Sequence, residues 1–124
     1  MGEGLVLAVV EDDDEVRAAL HRLLRSMGHE VRVFSSAEEF EADPPAVDCL
    51  ILDVGLPGMC GPELGRRMQR RGAAIPIVFI SGDAGPPRER PAPDEGAPSL
   101  AKPFDAEQLE AAIARAVSAR RHAP

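Results

Sequence analysis

Apolar and polar positions follow two rhythms along this chain. Leu5 to Val10 is a continuous apolar run, the pattern of a strand covered on both faces, as in a parallel sheet. From Asp14 to Met27 the period becomes helical. Val16, Leu20, Leu23, Leu24 and Met27 share one stripe, and Gly28 stops the helix. Val31 to Phe34 is a second strand. Ser36 opens a short helix in which Glu39 completes a capping box, and Pro44 and Pro45 close that region. "DCLILD", Asp48 to Asp53, predicts a third buried strand, followed by a loop of turn formers from Gly55 to Gly61. Pro62 to Arg71 is a helix with Pro in its first turn, where a missing N–H costs nothing. "IPIVFIS", Ile75 to Ser81, is a fourth strand, and Leu100 with Ala101 is the remnant of a fifth. Asp105 to Ala119 is the last helix, with Leu109, Ala112, Ile113, Ala116 and Val117 on its inner face.

Strands alternating with helices imply an α/β fold with a parallel sheet and right-handed crossovers. Ligands of such sheets bind beyond the carboxyl ends of the strands, at a topological switch point. Four polar features fall at that edge: the acids after the first strand, Asp53 ending the third, Ser81 ending the fourth and Lys102 after the fifth.

Composition narrows the function. At 124 residues and 44% hydrophobic, the chain is expected to form one domain, residues 1–124, with 120–124 as a linker stub or a natural terminus. The net charge of −7 argues against a nucleic-acid surface. With four Phe and no Trp or Tyr, platforms for stacking bases are not expected either. Cys49 and Cys60 form no CxxC pair and have no nearby His at ligand spacing, so both read as reduced thiols of a cytoplasmic protein. The N-terminal apolar run is too short to span a membrane. His21, His29 and His122 lack metal spacing, and His21, off the apolar stripe, is expected to face solvent.

Five consecutive acids, Glu11 to Glu15, follow the first strand. Like charges so close repel, and burying any of them is expensive. Acids before a helix often serve as caps and complement its dipole, and Asp13, Asp14 and Glu15 fit that role. Glu11 and Asp12 sit instead at the strand end, toward the crevice. Carboxylates that face one another there, together with Asp53, call for a hard cation, and an all-oxygen donor set suits Mg²⁺.

The pieces "VVEDD" (Val9 to Asp13), "LILDVGLPGMCG" (Leu50 to Gly61), "FISG" (Phe79 to Gly82) and "AKPF" (Ala101 to Phe104) occur in this order along the chain. Together they resemble the receiver domains of two-component response regulators. The stretch "VRAALHRLLRSMGHEVRVFSSAEEF" is similar to receivers joined to LuxR-type helix-turn-helix output domains. The resemblance implies a doubly wound, five-stranded parallel sheet of flavodoxin-like (CheY-like) type. It implies that Asp53 accepts a phosphoryl group from a histidine kinase or phosphotransfer protein. It assigns Mg²⁺ to Asp12 directly, to Glu11 often through water, to Asp53 and to the backbone carbonyl of Gly55. Ser81 matches the hydroxyl that follows the phosphoryl group. Lys102 matches the lysine that pairs with Asp53 and then with phosphoryl oxygens, and Pro103 matches a cis peptide bond. The partner acted on would be an output domain or a second copy, without contact of this domain with nucleic acid or membrane. The chain would be no enzyme beyond its own phosphorylation and slow dephosphorylation.

Two departures from the family pattern stand out. Ser99 lies where the family often carries an aromatic switch residue. "AGPPRERPAPDEGAP", Ala84 to Pro98, holds five prolines where the family places its fourth helix, and an interior Pro costs about 3 kcal/mol of helix. A remodelled or missing fourth helix is therefore expected, as an irregular segment that phosphorylation would order. An alternative is a pseudo-receiver, an interaction module without phosphotransfer, although all five functional positions are filled by competent residues. A phosphatase of haloacid-dehalogenase type would need an acid two residues after its nucleophile, where Gly55 stands.

Overall fold

β1 (Val6–Val10) is flanked by β2 (Glu30–Phe34) and β3 (Cys49–Asp53), and β4 (Ile77–Ser81) and β5 (Ser99–Ala101) extend the sheet beyond β3. The computed structural model describes residues 4–72, 75–82, 98–102 and 104–121. Every pairing is parallel and the order is β2-β1-β3-β4-β5. The expected doubly wound, five-stranded sheet is thus observed. Strand bounds shift by one or two residues from the sequence reading, most at β4, which begins at Ile77 and not Ile75.

Four helices lie among the described residues: α1 (Asp14–Ser26), α2 (Ala37–Ala42), α3 (Gly61–Arg70) and α4 (Ala106–Arg121). The alternation of side chains along each strand sorts them between two cores. Leu7, Val9, Ile51, Val78 and Ile80 meet α1 through Leu20 and Leu24 and α4 through Leu109, Ala112, Ile113 and Ala116. Ala8, Val10, Leu50, Leu52 and Phe79 meet α2 through Phe40 and α3 through Leu64 and Met68. The central strand β3 is buried at every residue, which explains its unbroken apolar pattern. Phe34 and Phe40 add an edge-on ring contact, centroids 5.1 Å apart, between β2 and α2.

Helix ends follow local chemistry. Asp13, at extended φ and ψ, caps α1 by accepting from the N–H groups of Glu15 and Val16. Ser36 caps α2 through the N–H of Glu39, while the Glu39 carboxylate reaches back to the N–H of Ser35. Gly61 opens α3 against β3 so tightly that a Cβ there would run into the carbonyl oxygen of Asp53.

One histidine differs from expectation. His21 is half-buried and not solvent-facing. His29 is buried: its Nδ1 accepts from the Leu5 N–H at 3.0 Å and its Nε2 lies 3.3 Å from Glu110 Oε1. It ties the entry of β1 to α4. The expected fourth-helix segment, except Pro98, and the bond at Pro103 lie outside the described residues. No helix among the described residues is long and apolar enough to cross a membrane.

Candidate phosphoacceptor and metal site

The chain runs from β1 out to β2 and then back across β1 to β3, so the switch point lies between β1 and β3. Hydrogen bonds in the ladder direction continue one residue past the strands and set the rim. The Glu11 N–H donates to the Phe34 carbonyl at 3.0 Å, the Val54 N–H to Ile80 at 2.8 Å and the Lys102 N–H to Ser81 at 2.9 Å. Backbone pairing thus holds the residues around Glu11, Asp53, Ser81 and Lys102 on one edge.

There the carboxylates of Glu11, Asp12 and Asp53 converge. One oxygen from each lies within 4.8 Å of the others. Glu11 and Asp53 are 1% and 6% exposed, whereas Asp12 opens to solvent. A donor set of carboxylate oxygens with one open side fits a hard divalent cation that keeps waters. Asp53 Oδ1 accepts from the Gly55 N–H at 3.1 Å, which turns the chain so that Gly55 follows the carboxylate closely.

Glu11 is held from three directions. Oε2 accepts from the Asp13 N–H at 3.0 Å, Oε1 accepts from Lys102 Nζ at 3.1 Å, and Arg17 Nη1 donates to the Glu11 carbonyl at 3.0 Å. Burial pushes the Glu11 carboxyl above its ordinary value and the nearby Asp53 charge adds to this, while the Asp13 N–H and Lys102 oppose it. The Lys102 pairing corrects the expectation: its ammonium rests on Glu11, not Asp53. Both carboxylates are buried, and the lysine offsets the cost of enclosing Glu11.

The structure brings Glu11, Asp12, Asp53 and Lys102 together. Ser81 ends β4, half-buried on the same edge, and Gly55 lies in the loop after β3. Ser99 is exposed at the start of β5. Of the acid run, Asp13 supplies the cap, and Asp14 pairs with Arg17 at 2.6 Å. Sequence reasoning passed over Arg17 and Glu38. Glu38 Oε2 accepts from the Met59 N–H at 3.0 Å, across from α2 to the loop after β3. Arg17 carries a signal in retrospect, being one helical turn from Asp14. Glu38 carries none, because 21 residues separate it from its partner.

The sequence pattern of the family described as "Response regulator receiver domain" matches residues 7–114. The chain belongs to this family. As a receiver it is a module of phosphorylation-based, two-component signalling. It is 41% identical over 115 residues to "Response regulator protein TodT" of Pseudomonas putida (strain ATCC 700007 / DSM 6899 / JCM 31910 / BCRC 17059 / LMG 24140 / F1), covering 90% of this chain and 51% of that one. It is 38% identical over 116 residues to "Transcriptional regulatory protein FixJ" of Azorhizobium caulinodans (strain ATCC 43989 / DSM 5975 / JCM 20966 / LMG 6465 / NBRC 14845 / NCIMB 13405 / ORS 571), covering 91% and 55%. The receiver therefore spans about half the length of these relatives. Among solved structures, the one described as "CRYSTAL STRUCTURE OF FIXJ-N" superposes with a TM-score of 0.80 at 28% identity, covering 100% of this chain and 98% of that one. The response regulator StyR superposes at 0.79 with 35% identity, covering 94% and 61%.

Proposed function

We propose that this receiver takes a phosphoryl group from a phosphohistidine of a partner kinase or phosphotransfer protein onto Asp53. The observation that carries the proposal is the convergence of Glu11, Asp12 and Asp53, with Lys102 seated on the most buried of the three. An oxygen of the ionised Asp53 attacks phosphorus as the P–N bond to the histidine breaks, and the electron pair leaves with the imidazole. No general base is needed, because the nucleophile is already a carboxylate. Asp12, Glu11, Asp53 and the Gly55 carbonyl would hold Mg²⁺, which when bound neutralises charge on the transferring phosphoryl oxygens. Lys102, released from Glu11, and the Ser81 hydroxyl would then engage those oxygens. Residues 1–124 act as one receiver unit. Its output is a partner or a further domain, and the relative named a transcriptional regulatory protein supports an output in gene control.

Incubation with acetyl phosphate and Mg²⁺, followed by intact-mass measurement, tests the proposal. The parent should gain one phosphoryl group and Asp53→Ala none. Equal uptake by both overturns the assignment of Asp53. A parent that takes up none is the pseudo-receiver.

A further inference from the structure

We infer that Glu38, on α2, is a positioning residue for the metal site: it fixes the loop that presents the Gly55 carbonyl. The inference rests on the proposed assignment of that carbonyl as a ligand. The loop from Val54 to Cys60 is anchored to its own surroundings at three points. The Val54 N–H donates to Ile80, the Gly55 N–H to Asp53 Oδ1, and the Gly61 N–H to the Val54 carbonyl at 3.3 Å. All three lie at the ends of the loop. Between them, Gly55, Pro57 and Gly58 are exposed, and Leu56 is the one fully buried side chain.

The outer part of the turn is held from α2. Glu38 Oε2 accepts the Met59 N–H at 3.0 Å, and the same oxygen lies 2.8 Å from where a Cβ on Gly58 would be. Gly58 has φ +74, in the left-handed region, so it provides both the turn and the room for the carboxylate. Glu38 is itself exposed, so the bond orients the turn and adds little to stability. Its neighbour Glu39 is committed to capping α2 through Ser35, so the two adjacent acids divide the work. Leu56 and Met59 also pack against the core, so without Glu38 the arc keeps its apolar anchors but loses its polar cross-tie, and the Gly55 carbonyl gains freedom that binding a cation would have to remove. Partners bonded directly to a metal ligand change metal affinity about 10-fold or more when lost; Glu38 acts on the loop at Met59 and not on Gly55 itself, so its loss costs less.

The test measures Mg²⁺ affinity by titration calorimetry on the parent, Glu38→Ala and Glu38→Gln. Unfolding in EDTA and phosphate uptake from acetyl phosphate are measured beside it. Glu38→Ala should bind Mg²⁺ measurably more weakly, by less than about 10-fold. Glu38→Gln, which keeps an acceptor oxygen, should recover most of the loss. A brace that only stiffened the surface would lower stability in EDTA and leave Mg²⁺ affinity unchanged, and that result overturns the inference. Equal losses in both variants would trace the effect to charge and overturn it too. A parent that binds no Mg²⁺ refutes the metal site itself. A parent that binds it equally with Glu38→Ala refutes only the role of Glu38.

Discussion

Lys102 and Glu11 show at the scale of single residues how this receiver rests. The Glu11 carboxylate is 1% exposed and would be costly to bury alone, and the lysine ammonium at 3.1 Å offsets that cost. The pair holds Lys102 on the same edge as Asp53. Lys102→Met should therefore destabilise the protein in EDTA by roughly 1–3 kcal/mol, the penalty for stranding a buried charged acceptor. Saturating Mg²⁺ should narrow the difference. Urea unfolding of both proteins, with and without Mg²⁺, checks this, and an unchanged midpoint in EDTA would show that the contact contributes nothing. Cys49 illustrates the effect of burial on a thiol: enclosure pushes it up to about 12, and it packs as an apolar side chain.

At the scale of elements, α2 is the shortest helix among the described residues and depends on its neighbours. It has six residues, below the length at which a helix holds itself. Phe40 buries it against the sheet, Ser36 and Glu39 close its first turn, and Glu41 joins it to α3 through Arg67 at 2.6 Å and Arg71 at 3.7 Å. The hydrogen bond from Arg67 holds the Glu41 carboxyl below its ordinary value of 4.5. A lowered folded-state value gives stability that is present above pH 4.5 and is lost as pH falls through that lowered value. Glu41→Gln should thus be slightly less stable than the parent at neutral pH, with the gap closing as the solution is acidified below 4.5. Both guanidiniums reach into solvent, so the effect is small and shrinks with added salt. Thermal melts of the two proteins across acidic and neutral pH decide it, and a gap that widens in acid contradicts the assignment.

For the whole molecule, a cation held by Glu11, Asp12 and Asp53 would couple the sheet edge to global stability. A ligand that binds the folded state alone stabilises it by about 2.7 kcal/mol at a hundredfold excess over its Kd. Mg²⁺ should raise the melting temperature of the parent accordingly. Asp12→Asn should remove most of that gain, because Asp12 is a member of the converging cluster. Asp14→Asn should remove little, because Asp14 belongs to the first turn of α1 and pairs with Arg17. Calorimetric melts with Mg²⁺ and with EDTA compare them. Equal losses would mean that the acid run acts as a diffuse charge cloud and not as a site.

The linear pattern alone determined the order of elements, the two-faced burial of β1 and β3, the inner faces of α1 and α4, and the gathering of Glu11, Asp12, Asp53 and Lys102 at one edge. These are legible because they depend on local period and on a topology rule that places strand ends together. Tertiary structure decided who touches whom at that edge. Lys102 rests on Glu11, 91 residues away in the sequence, a pairing that no spacing encodes. His29 meets Leu5 and Glu110, and Glu38 meets Met59, because packing α4 and α2 on the sheet brings sequence-distant groups within hydrogen-bond reach. Asp13 became the cap through its extended backbone, a choice among three adjacent acids that composition leaves open. Pattern fixes which face a residue is on; the final contacts depend on the depth and angle at which helices settle, and those are set by the assembled core.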